Sequence, residues 1–87
     1  MKENEVTYQI WGYIWNEAKA DRDAEAYEFV PLKSYKTERG ARAYLDKFAI
    51  TNDIPQVELY RDETAWDGRP IEHERIALKD SFGIDEY

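Results

Sequence analysis

Three features predict a small α+β domain of order β-β-α-β-β, in which one helix packs on one face of a four-stranded antiparallel or mixed sheet. Side chains alternate in character from Val6 to Trp15, as they do when successive residues of a strand point to opposite faces. After Thr37, apolar residues recur at Ala41, Tyr44, Leu45 and Phe48, the i, i+3, i+4, i+7 spacing of an amphipathic helix. Trp66-Asp67-Gly68-Arg69-Pro70 then breaks a second pair of alternating runs, with Asp-Gly at the centre of a turn.

The first strand, Val6 to Trp15, carries Val6, Tyr8, Ile10, Gly12 and Ile14 on one face and Trp11, Tyr13 and Trp15 on the other. The segment Asn16 to Ala26 is rich in Asp, Glu and Ala and fits a loop or a short helix equally. The second strand spans Tyr27 to Tyr35, with Val30 and Leu32 on one side and Tyr27, Phe29 and Tyr35 on the other. Pro31 has no N–H for a central ladder, so this strand is expected at an edge or bulged. Thr37 is a helix N-cap, and Glu38 and Arg42 pair at i, i+4. The helix is expected to run to Thr51–Asp53, just before Ile54-Pro55. The third strand, Gln56 to Asp62, sets Val57 and Leu59 against Tyr60, the latter flanked by Glu58 and Asp62. In the fourth, Ile71 to Lys79, Ile76 and Leu78 share a face with Glu72 and Glu74. The aliphatic faces sum to Val6, Ile10, Ile14, Val30, Leu32, Val57, Leu59, Ile76 and Leu78, which match the apolar stripe of the helix.

Residues 1–87 are expected to form one domain with loose acidic ends at 1–5 and 80–87. The chain has no cysteine, which excludes disulfides and thiolate metal sites and favours a cytoplasmic setting. Met1 to Glu5 is polar and acidic, unlike a signal peptide, and no apolar run reaches the roughly 20 residues of a membrane span. The formal net charge is −7. Direct binding to nucleic acid or an anionic membrane is therefore not expected, because neutralising phosphates needs clustered Lys and Arg. A basic partner surface is favoured.

No motif points to catalysis or a cofactor. His73 alternates with Glu72 and Glu74, so the three side chains do not converge on a metal. Asp21, Asp23 and Glu25 open like a calcium loop, but Ala26 stands where Gly is needed and Leu32 where a bidentate Glu is needed. Ser34 and Ser81 lack an acid–base neighbour in sequence, and the four glycines are dispersed.

The ring side chains are what a two-layer fold leaves over. Trp11, Tyr13, Trp15, Tyr27, Phe29, Tyr35 and Tyr60 collect on the sheet face away from the helix, and Trp66 marks the turn. Such a face is a homodimer seam, a docking surface for another protein, or is covered by segment 16–26 and the tail. Acids cluster at Asp21, Asp23, Glu25 and Glu28, again at Asp62, Glu63 and Asp67, and again at Asp80, Asp85 and Glu86. Carboxylates in such clusters can occupy a basic groove that otherwise holds nucleic acid. By class-level analogy alone, small cysteine-free inhibitors carried by phages and mobile elements (anti-CRISPR-like or DNA-mimic-like proteins) often have this general character, and no motif ties the chain to a named family. The sequence thus leads to the expectation of a non-enzymatic binding protein that blocks a basic, nucleic-acid-handling surface. The alternative is a homodimeric accessory domain whose ring face completes a core.

Overall fold

A computed structural model describes residues 3–16 and 27–87. It contains β1 (Glu5–Trp15), β2 (Tyr27–Tyr35), helix α1 (Glu38–Lys47), β3 (Gln56–Thr64), β4 (Pro70–Asp80) and β5 (Gly83–Glu86). The strands form one antiparallel sheet of order β2-β1-β3-β4-β5. The α+β architecture is the one expected, but the sheet has five strands rather than four. In the acidic tail Gly83–Glu86 form β5, and Glu5 begins β1.

The topology explains where the helix lies. β2 and β3 both run antiparallel to β1, so they are parallel to each other with β1 between them. A connection between parallel strands must cross a face of the sheet, and α1 makes that crossing, contacting β1, β2 and β3. Its N-cap is Thr37, whose Oγ1 accepts from the Gly40 N–H at 3.2 Å. The helix ends at Lys47, short of the Thr51–Asp53 expected. The Lys79 ammonium, from β4, donates to the carbonyls of Leu45, Asp46 and Phe48 at 3.0, 2.6 and 2.8 Å, which caps the last turn from across the sheet. Thr51 and Ile54 then close a separate turn.

The core lies between α1 and the sheet. Ile10, Ala41, Leu45, Val57, Leu59 and Ala77 are fully buried there, ringed by Tyr8, Leu32, Tyr35, Tyr44, Phe48, Ile50, Ile54 and Ile76. Val6, Ile14 and Val30 are only half-buried, beyond the reach of this short helix.

Two bulges decide which residues reach this layer. In β2, Lys33 pairs with Ile10 and Pro31 with Trp11, so Leu32 is the extra residue. It leans over Gly12, where a Cβ would come within 2.8 Å of the leucine side chain. Beyond the bulge the alternation is reset, and Tyr35 pairs with Tyr8 beneath the helix, with its ring 5.9 Å from that of Tyr44. Tyr35 therefore does not belong to the exposed ring face, contrary to the strict alternation of the sequence. In β4, Ala77 pairs with Leu59 and Arg75 with Tyr60, leaving Ile76 as the extra residue. Ile76 packs on the core while Leu78, opposite Glu58, turns to the other face. The two do not share a side, and Ala77 takes the place expected for Leu78. The β3–β4 turn forms as expected, with Gly68 at φ 88°.

Candidate functional site: the ring-bearing sheet face

The face of the sheet opposite α1 carries the strongest concentration of unusual side chains. Cross-strand neighbours share a face, so the register brings together Trp11, Tyr13 and Trp15 of β1, Tyr27 and Phe29 of β2, and Tyr60 of β3. Phe29 lies centrally, 5.2 Å from Trp11 in a stacked geometry, 4.7 Å from Tyr13 and 6.2 Å from Tyr60. Trp15 and Tyr27 form an edge-on pair at 5.0 Å at the end of the array. The offset and edge-on contacts suit the ring quadrupoles, so the array is pre-formed by its own packing. Trp15, Tyr27 and Phe29 remain 37%, 42% and 36% exposed, and no described element packs over them.

The array continues into a polar half. His73 stacks on Tyr60 with centroids 4.2 Å apart and meets the edge of Trp11 at 6.5 Å. Its Nδ1 is bonded to the Asp62 carboxylate, which favours a proton on Nδ1 and leaves Nε2 for another partner. Beside this pair lies Glu58, which is 2% exposed although no helix covers it. It lies between Trp11 and Leu78 in the register and accepts from Gln56 Nε2 at 3.2 Å, Tyr60 Oη at 3.0 Å and an Arg75 guanidinium nitrogen at 3.0 Å. Arg75 in turn lies over the Tyr87 ring at 4.4 Å. A buried carboxylate is tolerable only with this degree of pairing. Burial, reinforced by the bond to Glu58, pushes the Tyr60 hydroxyl up to about 12. Glu58 also holds the Arg75 guanidinium above its ordinary value, against the opposing effect of burial.

Of the residues singled out in the sequence, Trp11, Tyr13, Trp15, Tyr27, Phe29 and Tyr60 meet on this face, whereas Tyr35 lies under the helix. Trp66 sits at the β3–β4 turn, 60% exposed. The acids do not form one tract. Asp62 is on the ring side with His73, and Glu63 is on the helix side with Arg61 and Asn4. Glu28 pairs with Ile14 on the helix side of β2, and Asp67 binds Arg69 within the turn. Asp21, Asp23 and Glu25 lie outside the described residues. Glu58, His73 and Arg75 were not expected at the site. Alternation does place Glu58 beside Tyr60, and His73 and Arg75 on the face away from Glu72 and Glu74, but it is the β3–β4 register that sets Arg75 opposite Tyr60 and His73 opposite Asp62.

A shallow groove of about 350 Å³, lined by Tyr13, Tyr27, Pro55 and Gln56, borders the array. A second, of about 480 Å³, lies on the helix side against Tyr35, Tyr44 and Phe48. Among the described residues there is no cluster of three or more His, Asp or Glu able to hold a metal, and no helix is long and apolar enough to cross a membrane. Compared with protein-family profiles, curated proteins and solved structures, the chain matches none of them.

Proposed function

We propose that this domain is a small acidic binding protein, without catalysis of its own, that docks its ring face on a basic protein surface and blocks it. The observation that carries this reading is the cluster of Trp11, Tyr13 and Phe29, with the Trp15–Tyr27 pair next to it in the register, on a sheet face that no described element covers. Large, pre-ordered aromatic side chains supply contact area at low entropic cost and dominate binding energies. Charge supports the choice of partner. The strand residues on this side include Glu5, Glu58, Asp62 and Asp85 against Arg75 alone among Lys and Arg, within a chain of net charge −7. A basic groove that ordinarily holds nucleic acid, as on a nucleic-acid-handling or defence enzyme, has the complementary chemistry.

The test is affinity capture with the wild-type chain and with Phe29→Ala, followed by association kinetics at rising salt. The expected result is a basic partner whose association slows with salt and whose complex dissociates faster with Phe29→Ala. A partner retained equally by both proteins would overturn the reading. So would a mass by light scattering twice that of the chain, lost on Phe29→Ala, which would make the face a homodimer seam.

A further inference from the structure

The sheet has a stretch of unpaired backbone edge in β4. β5 pairs only with Ala77–Asp80, and the Tyr87 N–H reaches the Ile76 carbonyl at 3.1 Å. Among the described residues no strand lies outside Pro70–Arg75, and each of these residues is exposed. From Glu72 to Arg75 the inner side of β4 is held in regular register by β3. A backbone held extended on one side and open on the other is a template for another strand. The opposite edge of the sheet differs: β2 carries Pro31 and the Leu32 bulge, which remove a donor and bend the strand. β4 also has Pro70 at its start and extra residues at Ile71 and Ile76, but these flank Glu72–Arg75, and within those four residues the pairing is regular.

The side chains along this edge select what can pair with it. Glu72 and Glu74 point to the helix side of the sheet, next to Glu63. Arg61 is the cation among them, bonded to Glu72 at 3.3 Å and Glu63 at 3.4 Å and directly opposite Glu74 in register. Two copies pairing β4 to β4 would bring Glu72 and Glu74 of each against those of the other, and like charges across a ladder oppose pairing. A strand with cationic side chains at alternate positions would set them beside both glutamates.

We infer that the β4 edge at Glu72–Arg75 accepts an extended segment of a partner protein bearing Lys or Arg at alternate positions, added as a further strand in line with β5. This edge shares His73 and Arg75 with the polar half of the ring face, but it would bind through the β4 backbone and the helix-side Glu72 and Glu74, so it does not require the rings to be engaged.

The test uses the full chain, amide hydrogen exchange by NMR, and two capped peptides, one of alternating lysine and threonine and one of alternating glutamate and threonine. The lysine peptide should slow exchange at Glu72–Arg75, less so at high salt, and the glutamate peptide should not. The double variant E72K/E74K should bind the lysine peptide roughly tenfold more weakly, two cross-strand charge pairs having been lost, and should accept the glutamate peptide instead. Because that variant also removes a partner of Arg61, E72Q/E74Q serves as the gentler check and should give a smaller loss with the fold intact. Unchanged exchange at Glu72–Arg75 with the lysine peptide would overturn the inference. Equal binding of both peptides, or protection confined to β2 or to the ring face, would do the same.

Discussion

The two faces of this sheet are stabilised in different ways. Beneath α1, Ile10, Val57, Leu59 and Ala77 meet Ala41 and Leu45 in a layer from which water is excluded. That packing is non-directional and scales with the apolar area removed from water. On the reverse face, order comes from directional contacts: the rings around Phe29, the His73–Tyr60 stack, and the three donors that surround Glu58. The first face closes on itself. The second keeps its shape while leaving aromatic surface exposed, which is what a docking surface requires. Glu58 shows the difference most clearly, since it is flanked by Trp11 and Leu78 and hydrogen-bonded by polar side chains of the same sheet rather than covered by the helix.

The comparison predicts a graded series of effects. Leu59→Ala, on the closed face, should cost on the order of 2–5 kcal/mol in denaturant unfolding, enough to threaten a domain of this size. A loss below about 1 kcal/mol would mean that the helix layer is not the main core. Glu58→Ala should cost about 1–3 kcal/mol, since it leaves Tyr60 and Arg75 without their acceptor. Trp11→Ala should cost about 1–2 kcal/mol from stacking and partial burial, while removing most of the partner affinity. If stability fell as far as in Leu59→Ala, with no separate effect on binding, the distinction between the faces would fail.

Tyr60 gives the comparison a pH signature. Its hydroxyl titrates near 12 in the fold, against an ordinary value of 10.0. Folding thus favours the protonated form, and the associated stability is fully present below pH 10 and is lost as pH rises towards 12. Unfolding midpoints of the wild type should fall across that window, and Tyr60→Phe should show a shallower decline. The smallest effect belongs to Trp66→Ala at the exposed turn, where stability should change by no more than about 0.5 kcal/mol. A larger loss would show that Trp66 supports the hairpin.

The first strand was legible because its alternation is uninterrupted: Ile10 faces the helix and Trp11 the open side, as the sequence pattern requires. The N-cap at Thr37 and the Asp67-Gly68 turn were legible because each depends on local chemistry alone. Tyr35 and Leu78 were misplaced for a common reason. A bulge shifts the period-two pattern by one residue, and nothing in the composition of β2 or β4 fixes where that shift falls, although Pro31 marks the first as irregular. The early end of α1 escaped detection because its cap, Lys79, comes from a strand thirty-odd residues later.

The sequence by itself determined the order of the elements, the apolar side of β1 and the helix, and the surplus of rings, since these follow from side-chain periodicity and local backbone preference. Tertiary structure alone decided the fifth strand, the two bulges, and the meeting of Glu58, Tyr60, His73 and Arg75. Those depend on inter-strand register, in which a shift of a single residue carries every later side chain to the other face.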